Sequence, residues 1–179
     1  MRSSLPLAAA VAILLSAPAA ALDLPARKPG LWEIKMTMEG RKIQMPASQH
    51  CIDAETDKMM NSIGGNMQKE MCSKQDVQNA GGTIVVDSVC KVGQGTTTSH
   101  AVVSGDFNSA YTVKVTSKRE GGLAVPGMPA DGTSNMTIDA KWLGPCAADQ
   151  KPGDMIIAGH KMNIRDMQNL PGMPGGAKK

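Results

Sequence analysis

Apolar and polar residues alternate along several stretches of this chain, so that one side of each stretch is apolar. Between Leu31 and Met38 the apolar side consists of Trp32, Ile34, Met36 and Met38. Successive side chains of a strand point to opposite faces, so this pattern predicts a strand with one buried face. Turns rich in glycine separate the other stretches, and the predicted strands span residues 31–38, 41–51, 73–78, 83–91, 96–104, 109–117 and 134–143.

About seven short strands joined by tight turns predict a mainly β fold, an antiparallel meander that forms a sandwich or a partly open barrel. Aromatic residues make up only 2% of the chain, whereas methionine occurs 14 times. Methionine is a flexible apolar residue and is expected to fill much of the core. Trp32, Ile34, Tyr111 and Trp142 lie on the apolar sides of their strands and are predicted to be structural.

The sequence predicts a hairpin between the first two strands and one short helix between the second and the third. A two-residue turn at Glu39-Gly40 would place Met45 opposite Ile34 and bring the apolar sides of both strands together. Asp53 is the expected N-cap of a helix from Ala54 to Ser62, which Gly64-Gly65 is expected to end. Apolar residues at every fourth position predict one packed face, made of Met59, Ile63, Met67 and Met71.

The N-terminal residues have the three parts of a secretory signal peptide. Arg2 supplies positive charge, Leu5 to Leu15 is apolar, and Ala19-Ala20-Ala21 fits a cleavage site. We therefore expect a signal peptide over residues 1–21, a disulfide-bonded β domain over 22–146 and a partly disordered extension over 147–179. A small hairpin is expected around Gly159. No later stretch has the roughly 18 apolar residues of a membrane helix, and the periplasm is the expected compartment.

Four cysteines follow the predicted signal peptide and allow three pairings. A three-residue loop at residues 80–82 places Cys72 opposite Cys90 and leaves Cys51 to pair with Cys146. A two-residue loop instead favours Cys51–Cys72 with Cys90–Cys146. Both schemes remain open, and the first is preferred. The spacing contains no Cys-x-x-Cys motif, so structural disulfides explain the cysteines better than redox catalysis does.

Methionine is the residue type with a possible chemical role, because thioether sulfur is a soft ligand that suits Cu(I). Met36 and Met38 share a strand face, and Met162 follows His160 by two residues, so these four are candidate metal ligands. Core packing is the alternative explanation, since Met36 and Met38 continue the apolar side of the first strand. A small apolar ligand held by methionine-lined walls is a further possibility.

Catalytic and nucleic-acid functions find little support in the sequence. The three histidines do not occur in metal-ligand or catalytic spacings, and the carboxylates near Asp53 fit a helix N-terminus. The net charge of +3 is scattered, and few aromatic residues are available to stack on bases. We therefore expect no catalytic residues, no cofactor and no nucleic acid partner.

The motif residues resemble those of the exported bacterial domain-of-unknown-function family numbered three-six-one-seven. The resemblance covers roughly residues 29–146 and is carried by Pro29-Gly30-Leu31-Trp32-Glu33-Ile34, Cys51-Ile52-Asp53, Cys72, Cys90, Ser104-Gly105-Asp106-Phe107 and Leu143-Gly144-Pro145-Cys146. It implies an exported β-rich domain in which Trp32 and the cysteines are structural, and it implies no activity. We expect an exported, non-enzymatic binding or envelope-associated module whose ligand or protein partner is unknown, with Cu(I) binding through methionine as the alternative.

Overall fold

The computed structural model describes residues 24–40, 45–122 and 132–167. Nine strands and two helices form within these ranges. In chain order they are β1 (Gly30–Met38), β2 (Ser48–Ile52), α1 (Ala54–Met71), β3 (Cys72–Ala80), β4 (Thr83–Val92), β5 (Gly95–Asp106), β6 (Ala110–Glu120), β7 (Thr133–Gly144), β8 (Asp154–Ile157), β9 (His160–Asn163) and α2 (Ile164–Met167).

The strands form one antiparallel sheet in the order β3-β4-β5-β6-β7-β1-β2-β8-β9. The predicted mainly β, antiparallel fold is confirmed, and β3 to β7 follow one another as a meander. β7 then pairs with β1, so the two ends of the meander are not joined to each other and the sheet is not closed. The hairpin expected around Gly159 is present as β8 and β9, and its pairing with β2 continues the sheet beyond Cys146.

The two faces of the sheet differ in polarity, as the alternation predicts. The inner face carries two groups of buried apolar side chains, one around Trp32 and one around Val103, and Tyr111 packs against both. The outer face carries polar pairs such as Thr112 with Asp139, whose side chains are hydrogen-bonded at 2.8 Å. Helix α1 connects β2 to β3, strands that lie six positions apart in the sheet, and Met60 packs on the first group.

The predicted register of the first hairpin is wrong. Trp32 pairs with His50 and Ile34 with Ser48, whereas a turn at Glu39-Gly40 would have paired Ile34 with Met45. Residues 45–47 are not in a strand, and residues 41–44 lie outside the described ranges. Pro46 lacks the N–H group that strand pairing requires, which favours a later start of β2. As a result β1 beyond Ile34 has β7 as its one neighbouring strand within the described residues.

Helix α1 is twice as long as predicted and runs without a break through Gly64 and Gly65. Glycine costs about 1 kcal/mol in a helix interior, so this length needs support at the ends. Asp53 and Thr56 form a capping box at the N-terminus, and the disulfide-bonded Cys72 follows the last helical residue. The predicted packed face is also wrong in its second half, because Met67 and Met71 are 43% and 39% exposed.

The disulfides are Cys51–Cys146 and Cys72–Cys90, the first of the two predicted schemes. The loop expected to produce the second bond is different, however. Ala80 pairs with Thr83, so the turn contains only Gly81 and Gly82. A β-bulge between Cys72 and Lys74 then shifts the register and restores Cys72 to its position opposite Cys90.

Candidate functional site

A buried ion pair joins the segment before β1 to the start of α1. Arg27 Nε lies 2.7 Å from Asp57 Oδ1, and the backbone N–H of Arg27 donates to Asp57 Oδ2 at 2.9 Å. The side chains are only 9% and 1% exposed. Removing one partner of such a pair leaves an uncompensated charge, at a cost of about 3–5 kcal/mol. The pair therefore holds these two elements together.

Local sequence explains the position of Asp57. The side chain of Asp53 accepts a hydrogen bond from the backbone N–H of Thr56, which fixes the first turn of α1. Asp57 lies in that turn, where the helix dipole favours a negative charge. Thr56 and Asp57 are fully buried, so the N-terminal end of α1 packs against other parts of the protein.

Further polar and aromatic groups surround Arg27. Its Nη2 donates to the sulfur of Met60 at 3.5 Å, and its positive charge acts on the nearby Tyr111 side chain. Burial raises the pKa of Tyr111, so the phenol stays neutral. Tyr111 also packs against Trp32, with ring centroids 5.7 Å apart, and stacks on Phe107 at 4.6 Å. The cluster thus links the ion pair to the core of the sheet.

His50 lies on the inner face between Trp32 on β1 and Met155 on β8. Its Nε2 is 3.2 Å from Ser48 Oγ, while its buried Nδ1 has no hydrogen-bond partner among the described residues. Burial, assisted by the positive charge of Arg27, lowers the pKa of His50 from 6.5 to about 4. His50 is therefore a neutral imidazole near neutral pH. Its strand neighbours, Trp32 and Met155, are those of a core residue. Asp57 is paired with Arg27 and not with His50.

An open groove of about 620 Å³ lies beside the ion pair, and we call it the α1 groove. One wall is the apolar segment of Leu24, Pro25 and Ala26, and the other is a stripe of α1. The helical lining residues are mainly polar or small and recur at helical spacing: Ala54, Asp57, Lys58, Asn61, Ser62, Gly65, Asn66 and Lys69. Gln75 of β3 completes the lining. Asp57 belongs to both the groove and the ion pair, so the pair fixes the spacing of the two walls.

The four candidate metal ligands from the sequence do not come together. Met36 and Met38 lie on β1, whereas His160 and Met162 lie on β9, three strands away. At the usual spacing of strands this separation is about 14 Å. His160 and Met162 are exposed. The expectation that Met36 is a core residue is also wrong, because it is 39% exposed.

Met38 has a methionine partner that sequence reasoning missed. The β1–β7 register places Met136 directly opposite Met38 and Ile138 opposite Met36. Strand alternation over residues 134–143 predicts that Met136 lies on the same side as Trp142, but local pattern does not show which strand pairs with this one. We call Met36, Met38 and Met136 the methionine triplet. Within the described ranges no group of three or more His, Cys, Asp or Glu residues is arranged to hold a metal ion.

The predicted structural residues lie where the core needs them. Trp32 is fully buried, Ile34 is 7% exposed, and Tyr111 and Trp142 are half-buried against them. The Trp142 indole N–H donates to the Pro29 carbonyl, and Lys28 Nζ lies 3.7 Å from the Trp142 ring centre. These contacts place both tryptophans at the same end of β1 and β7.

Most motifs that carry the family resemblance meet at that end of the sheet, whereas Cys72 and Cys90 lie at the other end of their strands. Gly30 has a φ of +134°, and a Cβ there would lie 2.5 Å from Trp142 Nε1 and collide with the Gly144 carbonyl oxygen. The backbone N–H of Lys28 donates to the Phe107 carbonyl at 2.9 Å. The Cys51–Cys146 bond closes the same region. The geometry therefore explains the opening motif by close backbone approach.

Comparisons with known proteins give one match. A family model described as "Protein of unknown function (DUF3617)" matches residues 27–146, which is more than half of the chain. No curated protein and no solved structure matches the chain. The matched range begins at Arg27 of the buried ion pair and ends at Cys146 of the longer disulfide, so it spans all the motifs that meet at one end of the sheet. The chain therefore belongs to the DUF3617 family of proteins of unknown function.

Proposed function

We propose that this protein is an exported, non-enzymatic binding or envelope-associated module, and that its ligand occupies the α1 groove. The observation that carries the proposal is the groove itself. Its volume of about 620 Å³ lies within the range of small-molecule sites, which is about 300–1,000 Å³. The Arg27–Asp57 pair fixes its walls, and a preformed site binds without the cost of ordering.

The lining indicates an amphipathic anion as the ligand. Lys58 and Lys69 provide two positive charges along the helical wall, and amide side chains provide hydrogen bonds. Leu24, Pro25 and Ala26 provide an apolar surface on the opposite wall. A molecule with an apolar body and a carboxylate or phosphate group is complementary to both walls. This ligand is more polar than the apolar molecule expected from the methionine content.

Export to the periplasm is supported by the signal-peptide pattern and by the two disulfides. Disulfides persist in oxidising compartments and are rare in the cytosol. Among residues 24–40, 45–122 and 132–167, no helix combines the length and apolar character needed to span a membrane.

The non-enzymatic part of the proposal is supported by the placement of the titratable groups. His50 is half-buried beside Trp32, whereas His100 lies on the outer face with Asp87, at 2.8 Å, and His160 lies on β9. The histidines are thus on different parts of the sheet, and none of them lines the α1 groove.

The groove can be blocked without disturbing the fold. A Cβ at Gly65 meets no atom within 4 Å, and Gly65 lines the groove. Gly65→Leu is expected to abolish binding of an anionic apolar probe, 1-anilinonaphthalene-8-sulfonate, measured by fluorescence titration. Gly64→Leu is the matched control, because Gly64 also has open space but is not part of the lining. Equal binding by both variants would contradict the proposal.

The charge requirement is tested separately. Lys58→Gln with Lys69→Gln should weaken binding of the same probe, while Lys35→Gln with Lys114→Gln, on the outer face, should leave it unchanged. Native mass spectrometry of protein purified gently from its own compartment should also show added mass from a retained ligand. If the outer-face variant weakens binding as much as the groove variant, the probe is responding to net charge and the groove is not the site.

A further inference from the structure

The methionine triplet places three thioether side chains on one small area of the inner face. Met38 and Met136 are directly opposite in the β1–β7 register, and Met36 is two residues along β1 on the same side. Directly paired residues have Cβ atoms about 4.5–5.5 Å apart, and diagonal neighbours remain within reach of long side chains. Three flexible thioethers can therefore converge on one point above this part of the sheet.

This part of the inner face is open to solvent. The pairing of β1 with β2 ends at Ile34 and Ser48, so Met36 and Met38 have a strand on one side only within the described residues. Met36 is 39% exposed, and Met38 and Met136 are half-buried. An ion can therefore reach the sulfur atoms without any change in the core.

Among the residues that the structure describes, the nearest neighbours of the triplet on this face of the sheet carry no positive charge. The same-face neighbours of the triplet are Ile34, Ile138 and Val115, which are apolar. Lys35 and Lys114 alternate with these residues along their strands and lie on the outer face. Glu39 directly follows Met38, and its carboxylate accepts a hydrogen bond from Asn135 at 2.9 Å. Negative charge is thus held at the same end of the strand pair.

We propose that Met36, Met38 and Met136 form a binding site for one Cu(I) ion. Thioether ligands select Cu(I) over harder divalent metals, which prefer imidazole or oxygen ligands. The proposal replaces His160 and Met162 with Met136, the residue that the β1–β7 register brings to Met38. It is independent of the α1 groove, which contains no methionine of the triplet.

The test uses the full mature chain with both disulfides formed, under anaerobic conditions with ascorbate to keep copper reduced. Cu(I) is titrated in competition with the chromophoric chelator bicinchoninate. We expect one equivalent of Cu(I) to bind. The Cu(I) affinity should fall by more than about 100-fold in the triple variant Met36→Leu, Met38→Leu and Met136→Leu. Loss of an outer-shell contact alone weakens metal affinity by about 10- to 100-fold, and this variant removes the ligands themselves. Leucine has a similar volume to methionine, so the fold is expected to be retained.

The matched control replaces Met59, Met67 and Met71 of α1 with leucine, and its Cu(I) affinity should equal that of the wild type. A second readout does not depend on variants. In protein labelled with ¹³C at the methionine methyl groups, Cu(I) should move three methyl signals, those lost in the triplet variant. Absence of competitive binding by the wild type, loss of binding in the α1 control, or movement of other methyl signals instead would overturn the proposal.

Discussion

At the scale of single residues, His50 is an imidazole that the fold keeps uncharged. His50 lies on β2 between Trp32 and Met155, and within the described part of the chain its Nδ1 has no hydrogen-bond partner. Burial disfavours the charged form, and the nearby Arg27 disfavours it further, which lowers the pKa of His50 to about 4. Protonating His50 in the folded state would place a second positive charge near the Arg27 guanidinium, which is already paired with Asp57.

This shifted pKa predicts that stability falls in mild acid. In the unfolded chain His50 titrates near 6.5, whereas in the folded state it titrates at about 4. Between these values the unfolded state binds more protons, so the free energy of unfolding decreases as the pH is lowered from about 6.5 towards about 4. At about 1.4 kcal/mol per pH unit, the loss is roughly 3 kcal/mol. Urea unfolding measured at several pH values across this window gives the slope.

His50→Gln serves as the control for that slope, because glutamine does not titrate. Hydrogen bonds at the carboxylates of Asp53 and Asp154 lower their pKa values and stabilise the folded state. This stabilisation is lost only at pH values near and below 3.8, which is outside most of the window for His50. A wild-type slope that persists unchanged in His50→Gln would show that another group is responsible.

Residue roles were predictable from sequence only where they follow from local pattern. Trp32 and Ile34 were identified as core residues because strand alternation determines which side chains face inward. The Arg27–Asp57 pair was not predicted, because its members are 30 residues apart in the chain and the sequence around each of them contains no motif that indicates a buried ion pair. Alternation also predicts that Met136 faces inward, but its position opposite Met38 depends on a pairing between the first strand and the seventh.

At the scale of elements, α1 continues through two glycines that disfavour a helix. Gly64 and Gly65 lower helix propensity at the middle of the helix, while Asp53 caps its start and Cys72 fixes its end through the bond to Cys90. In β1, by contrast, a glycine is required, at Gly30. Its positive φ and its approach to Gly144 exclude a side chain.

Two glycine substitutions should therefore have opposite effects on stability. Gly64→Ala is expected to raise the free energy of unfolding by about 0.5–1 kcal/mol, since alanine favours the helix and a Cβ at Gly64 meets no atom within 4 Å. Gly30→Ala should lower it by at least about 2 kcal/mol, because the new Cβ collides with backbone in a strained conformation. Urea unfolding of the two variants measures both effects, and a stable Gly30→Ala protein would contradict the close approach.

Elements were predicted well where pairing is local. The strands from β4 to β7 begin and end within three residues of the predicted limits, because glycine turns separate alternating segments. The β1–β2 hairpin was predicted in the wrong register, since the connection is longer than a two-residue turn and Pro46 lies within it. The predicted C-terminal end of the helix was wrong for a different reason. The low helix propensity of Gly64 and Gly65 was outweighed by the cap at Asp53 and by the disulfide at Cys72.

At the scale of the whole molecule, the sheet combines short and long connections. The meander from β3 to β7 is built from neighbours in sequence, whereas β1 pairs with β7 about a hundred residues later. The two disulfides follow the same division, because Cys72–Cys90 spans 18 residues and Cys51–Cys146 spans 95.

Removing the longer disulfide should be the more destabilising change. In the chain-entropy model, stabilisation increases with the logarithm of the loop length, and the difference between these loops is about 1.5 kcal/mol. Cys51→Ala with Cys146→Ala is therefore expected to lower the free energy of unfolding more than Cys72→Ala with Cys90→Ala. Urea denaturation of the two double variants gives the comparison, and the reverse order would show that packing around Cys51 or Cys72, rather than loop length, dominates.

If the chain is exported as proposed, the span of Cys51–Cys146 also determines the order in which its cysteines can be oxidised. Cys51 emerges first and must wait for Cys146, while Cys72 and Cys90 pass beside it. The Cys51 thiolate attacks the disulfide of a thiol oxidase, and the next accessible thiolate then displaces the oxidase from this mixed disulfide. Because Cys72 is the first cysteine to emerge after Cys51, Cys51–Cys72 is the error that this order favours, and we expect correct maturation to need a disulfide isomerase. In its absence, peptide mapping should find Cys51 joined to Cys72, and the chain would reach its compartment oxidised but misfolded.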